Sequence, residues 1–196
     1  MVGRRSTRSR SGQLHTLEGI SAAILIVLAV AFASDAVAIT GSSGSAASGE
    51  VERQYSVAAN DLMTQAKTTG ELKDAILYWN EDQQSFIGTG GPTYYSGTTP
   101  PNEFGRTLRL ALEERGLTYN VDLVFKSLNR TVTKRYIRNG APSYNAVRVS
   151  RTIVLNDQDE LPSGETLADS NYIGVDAQDV PGLYNLVEVR LTVWSR

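Results

Sequence analysis

Fifteen consecutive uncharged residues, Gly19 to Ala33, follow a segment whose only charges up to Gly12 are Arg4, Arg5, Arg8 and Arg10. Asp35 interrupts the run and Ala36 to Ile39 extend its apolar character. A helix that crosses a bilayer needs about 20 mostly apolar residues, with a range of about 17–25. The run therefore predicts a transmembrane helix over 19–40, preceded by a basic cytoplasmic leader over 1–18. The positive-inside rule puts the arginines in the cytoplasm and the rest of the chain outside. From Asp35 onward there are 15 basic and 20 acidic residues, so the exported part is mildly acidic. The expected location is the cell membrane, as a single-pass protein with a cytoplasmic N-terminus and an extracellular C-terminal domain. The lipid bilayer is then a partner. Beside an apolar run and an acidic body, the four arginines do not predict a nucleic-acid partner. A cleaved signal stays open as the alternative, because Ala31-Phe32-Ala33 and Ala36-Val37-Ala38 both fit a small-x-small cleavage pattern.

Composition narrows the chemistry. A length of 196 residues allows one ordinary domain plus attachments, and a hydrophobic share of 41% is enough to build a core. The chain has no Cys and one His, His15. That removes thiol nucleophiles, zinc–thiolate sites and most Ser-His or Cys-His catalysis. The expectation is a protein that is not an enzyme, with no catalytic, metal or cofactor-binding residues and no cofactor.

Glu18 stands just before the apolar run, in the string Arg10-Ser11-Gly12-Gln13-Leu14-His15-Thr16-Leu17-Glu18. A carboxylate deep in lipid is costly, so Glu18 needs either a shallow position or a partner. The string resembles a type IV pilin (class III) signal: basic leader, Gly before the cut, short spacer, Glu, hydrophobic helix. The resemblance implies a prepilin-type peptidase as a partner, cutting after Gly12 to leave Gln13 as the new N-terminus. It also implies other pilin-like subunits as partners, with Glu18 setting subunit register by pairing with a neighbour's new amine. Glu18 would be the sixth mature residue, where the best-known bacterial pattern has it fifth, and no Phe starts the mature chain. The HTLEG stretch leading into an Ala/Val/Leu-rich helix is also similar to uncharacterised haloarchaeal pilin-like membrane proteins. Ala75 to Asn80 and Pro100 to Gly105 look like the same group.

Beyond the apolar run, GSSGSAASG at 41–49 reads as a flexible Gly/Ser linker, followed by an extracellular domain over 50–196. Apolar residues at three- and four-residue steps predict helices over Glu50–Lys67, Glu71–Trp79 and Phe104–Arg115, the last stopped by Gly116. Residues 80–102, with seven Gly or Pro, read as a long loop. Alternation then predicts four strands: one through Tyr119, Val121, Leu123 and Phe125, with Asn120, Asp122 and Lys126 opposite; one over Thr131–Arg138; one from Val147 to Leu155; and one through Val187 to Val193. Helices first and strands afterwards give an α+β fold, with helices packed on one face of an antiparallel sheet.

The remaining motifs carry little chemistry. Gly88-Thr89-Gly90-Gly91-Pro92 lacks the Lys of a phosphate loop and reads as turns. Asn156 to Glu160 fails calcium-loop spacing and reads as a solvated acidic turn. Glu113 and Glu114 are adjacent on a helix and so point about 100° apart rather than at one substrate. Trp79, Tyr94 and Tyr95 offer a carbohydrate-stacking surface or, more simply, pack their own loop down. Lys126, Arg130, Lys134, Arg135 and Arg138 read as the wet face or protected edge of a sheet. Asn129-Arg130-Thr131 is a glycosylation sequon, with Asn129 the acceptor in a loop between two predicted strands. Two functional readings follow. The first is a membrane-anchored, extracellular pilin-like subunit with a structural or adhesive role. The alternative is a singly anchored cell-surface domain that binds a ligand through the 80–102 loop and is not assembled into a filament.

Overall fold

The computed structural model describes residues 46–127, 130–170, 172 and 181–195. The apolar run, Gly12, Gln13, Glu18 and Asn129 lie outside these residues. Among the described residues no helix is long and apolar enough to cross a membrane.

The architecture is mixed α+β. Helix α1 spans Ala46–Thr68 and α2 spans Glu71–Leu77. A two-residue ribbon follows, β1 at Trp79–Asn80 paired antiparallel with β2 at Ser85–Phe86. Helix α3 covers Glu103–Ala111, and a 3-10 turn at Glu113–Arg115 closes on Gly116, whose φ of 73° is the left-handed cap expected of glycine. Four long strands complete the chain: β3 Leu117–Ser127, β4 Arg130–Arg138, β5 Val147–Asn156 and β6 Leu183–Ser195. They form one antiparallel sheet in the order β4-β3-β6-β5.

Alternation decides which side of the sheet is buried. Tyr119, Val121, Leu123 and Phe125 of β3 stand in register with Val193, Leu191, Val189 and Val187 of β6, and all are buried. Against this face α1 presents Ala59, Leu62, Met63 and Ala66, and α2 presents Leu72, Ala75 and Ile76. The 3,4-spacing of these residues puts them on one stripe of each helix. Asn102 caps α3, its Oδ1 accepting from the Gly105 N–H at 2.9 Å. A Cβ on Gly105 would lie 2.0 Å from the Pro100 carbonyl oxygen, so only glycine lets the loop cross the helix there.

Several expectations need correction. Helix α1 begins at Ala46, so the last part of the supposed flexible linker is helical. Alanine is the best helix former, and two of them open the helix. Trp79 leaves the helical path and enters β1, because α2 stops at Leu77. Asn120 is buried although it points to the outer side, because the turn after β4 folds over it. Its amide donates to the Gly140 carbonyl (2.9 Å) and its Oδ1 accepts from the Asn139 N–H (2.8 Å). Lys134 faces inward, opposite Leu123, with its ammonium 4.1 Å from the centroid of the Trp79 ring. A register shift at Val121/Asp122 explains the change of side. It adds Tyr136 to β4 as an unpaired residue, so Tyr136 and Ile137 are buried in succession.

Candidate functional site

The 80–102 segment is the leading candidate for ligand contact; its Phe86 and Tyr95 turn inward, while Tyr94 stays half-buried with the Arg135 guanidinium 5.8 Å from its ring centroid. Tyr95 joins the edge of the sheet beside β4. Its N–H donates to the Tyr136 carbonyl (2.9 Å) and its carbonyl accepts from the Arg138 N–H (2.8 Å). Its hydroxyl donates to the Ile87 carbonyl at 2.6 Å. Tyr95 is 0% and Trp79 1% exposed, so neither offers a stacking surface. The Phe86 and Tyr136 rings meet edge-on at 4.7 Å, and Trp79 meets Phe86 at 5.1 Å. Such pairs prefer edge-to-face or offset stacking and contribute beyond their buried area.

The phenols in this cluster satisfy backbone that the irregular segments would otherwise leave unpaired. Tyr172 donates to the Ile76 carbonyl. Tyr136 accepts from the Asn102 amide at 2.9 Å. Desolvation by burial holds the hydroxyls of Tyr95, Tyr136 and Tyr172 above the usual phenol range. These groups stay protonated at any ordinary pH and serve structurally, Tyr95 and Tyr172 as donors and Tyr136 as an acceptor.

An open groove of about 810 Å³ lies where β3 begins and β4 ends. Ser96 and Gly97 from the long loop, Glu113, Arg138, Asn139 and Trp194 line it. Glu113 is its one carboxylate, and it is already engaged: the Tyr119 hydroxyl donates to it at 2.6 Å and Thr99 at 3.2 Å. Burial and this carboxylate together push the Tyr119 phenol up. The Arg138 guanidinium makes no hydrogen bond or ion pair with a described residue. The groove can therefore offer hydrogen bonds and one free cation to a ligand, but it sets no nucleophile beside a base. Asn139-Gly140 was legible as a turn, yet only the strand register brings it beside Trp194 and Glu113.

The remaining candidates disperse. Glu114 pairs with Arg109 at 3.2 Å, away from the bonds that hold Glu113, so the two carboxylates diverge as their spacing predicts. In the acidic turn, Asp159 pairs with Lys73 at 2.7 Å and caps the Asn156 N–H at 2.7 Å. Asp157 accepts from the Gly182 N–H at 3.1 Å. Among the described residues no group of three or more His, Asp or Glu is placed to hold a metal. Arg130 and Thr131 of the sequon start β4, and the acceptor Asn129 lies outside the described residues.

Comparison with known proteins adds one finding. No curated protein and no solved structure matches the chain. A family model does match, over residues 11–193, which takes in Gly12, Gln13, Glu18 and the apolar run together with the α+β domain. On that match the chain belongs to a family of unknown function, DUF7288.

Proposed function

We propose that the chain is a membrane-anchored, extracellular pilin-like subunit with a structural or adhesive role. The observation that carries this reading is the Gly12-Gln13…Glu18 string running into uncharged sequence from Gly19 to Ala33. Two further facts support it. The family match starts at Ser11, so the signal-like string and the domain belong to one family unit. Helix α1 starts at Ala46, which shortens the flexible neck expected at 41–49. In this reading a prepilin-type peptidase cuts after Gly12. The apolar helix stays in the bilayer, where small residues such as Ala22, Ala23 and Ala29 let neighbouring helices approach. Glu18 then fixes register against the Gln13 amine of a neighbouring subunit. The test is the mature N-terminus by mass spectrometry on membranes of the native host. Gln13 is expected; a start at Met1 or Val2 defeats processing, and a start near Ser34 in the medium defeats the anchor. Glu18→Ala is expected to insert normally but to lose assembly, and normal assembly would defeat its register role.

The groove favours one other reading, a singly anchored surface domain that takes a polar ligand. The long loop would act there through Ser96 and Gly97 rather than through its aromatic residues. Removing the whole loop would remove Tyr95 from the core, so Arg138→Ala is the better probe. Surface binding of whole cells to candidate glycans, unchanged by that substitution, would exclude the groove.

A further inference from the structure

Charge is sorted in this domain in a way that only the register reveals. The outer face of the sheet carries Arg138, Asn120, Thr192 and Arg148 in one cross-strand row and Arg135, Asp122, Arg190 and Ser150 in the next. With Lys126 two rows further along β3, this face has five cations against two carboxylates, Asp122 and Glu188. Arg190 holds Glu188 at 2.7 Å, and the Arg190 hydrogen bond keeps that carboxyl below its usual range. Arg135 and Arg148 are exposed and make no ion pair with a described residue. Two rows beyond Arg190 along β6, Val154 and Leu186, paired in register, are each 48% exposed.

The opposite charge collects elsewhere. The turn between β1 and β2 and the loop after β5 bring together Glu81, Asp82, Asp159, Glu160, Glu165 and Asp169, with Lys73 of α2 as the cation in contact. A hydrogen bond with Glu81, together with the charges of Glu81, Asp169 and Asp82, raises the Glu165 carboxyl. The same loop exposes Pro162 and Ala168. This pole is tied to α2 through Lys73 and Asp159, and Leu161 and Leu167 anchor it in the core on the helix side. Among the remaining described residues eight cations stand against nine carboxylates.

We propose that the outer face of the sheet docks the acidic pole of a second copy of this chain. The inference deepens the reading of the chain as an assembling subunit and rests on it. A polyanion is the poorer match: Asp122 sits within a basic row and Glu188 in the row beside it, and the exposed Val154–Leu186 pair has nothing to bury against phosphates. An acidic protein surface with small apolar residues meets both features, and the pole of a second copy is such a surface. Complementary charge of this kind steers encounter and fixes orientation more than it adds affinity. The contact joins two different patches, so a docked pair retains one free face on one copy and one free pole on the other. Such a heterologous contact extends as an open line of copies unless its rotation closes a ring.

The absence of Cys makes the test clean. Two tagged full-length copies are expressed together in the native membrane, one carrying Thr152→Cys on the outer face and the other Ser163→Cys in the pole, and mild oxidation is applied. The expected product is the mixed disulfide dimer, at least about fivefold above either single-variant homodimer. Adding Arg148→Glu to the first copy should lower that yield at least about tenfold, and adding Asp169→Lys to the second should restore most of it. A Thr152→Cys homodimer as abundant as the mixed one would overturn the proposal in favour of a face-to-face contact. Absence of the mixed dimer, or a yield indifferent to Arg148→Glu, would overturn it outright. An N-terminus at Gln13 without the mixed dimer leaves the pilin-like reading intact and ends this one. The mixed dimer without processing at Gln13 does the reverse.

Discussion

The two faces of the sheet come from the same four strands, yet they obey different rules. On the inner face, polar atoms are admitted only at the tips of aromatic rings, and each hydroxyl of Tyr95, Tyr119 and Tyr172 donates to a named oxygen. On the outer face, arginines and carboxylates stand in rows with water around them. Lys134 and Arg151 are the inner face's exceptions: the Lys134 ammonium lies over the Trp79 ring, and the Arg151 guanidinium reaches α1 at Asn60 Oδ1 (3.0 Å) and Thr64 Oγ1 (2.8 Å). The difference teaches where a substitution will be felt. A buried polar group is held by partners that cannot be replaced by water, whereas an exposed charge exchanges a partner for solvent at little cost.

The harshest way to break the comparison is alkali. Four phenols have folded-state values raised by burial, so the native state keeps them protonated while the unfolded chain releases protons above pH about 10. Their contribution is fully present below the unfolded value and is lost as pH rises toward the folded values. Each such phenol removes about 1.4 kcal/mol per pH unit, so four should unfold the domain between pH about 10 and 12. Tyrosinate absorbance rising together with the loss of near-UV circular dichroism is the expected signature. Tyrosinate forming well before unfolding would mean the cluster is wet.

Adjacent residues on opposite faces give the next contrast. Tyr136→Ala removes a ring packed against Phe86, Tyr95 and Phe104 and should cost about 3–5 kcal/mol in chemical denaturation of the full chain. Its neighbour Arg135→Ala should stay within about 0.5 kcal/mol. Similar costs for the pair would erase the distinction between the faces.

Arg151→Ala sharpens the comparison with a smaller effect. It strips hydrogen bonds to Asn60 and Thr64 from the seam between α1 and β5, for an expected loss of about 1.5–3 kcal/mol. Hydrogen exchange should show α1 opening more readily while β3 and β6 keep their protection. Uniform loss across the sheet would mean that Arg151 supports more than the helix.

These contrasts were only partly legible in the sequence. The alternation of β3 and β6 could be read because each side chain's face follows from parity alone. The start of α1 was hidden because Ala46 and Ala47 sit among Gly and Ser residues, which read as spacer. The inward turn of Lys134 depends on the register shift opposite Val121/Asp122, a feature of pairing that no local pattern carries. The rows of the outer face and the acidic pole need strand order and loop placement, which join residues as distant in sequence as Lys73 and Asp159. Tyr95 was visible as an aromatic residue in a loop, but its hydrogen bonds to β4 were not.

One feature of the strand order bears on the order of events as the chain is made. β6 is the last strand in sequence and lies inside the sheet, between β3 and β5. Until residues 183–195 are available, β3 has only β4 beside it and β5 has no strand partner. The helices and the β3–β4 pair can form early from near neighbours, but the core stays open on one side until that final insertion. A chain exported across a membrane would therefore pass through as an incomplete domain, and its sheet would close in a single late step on the far side.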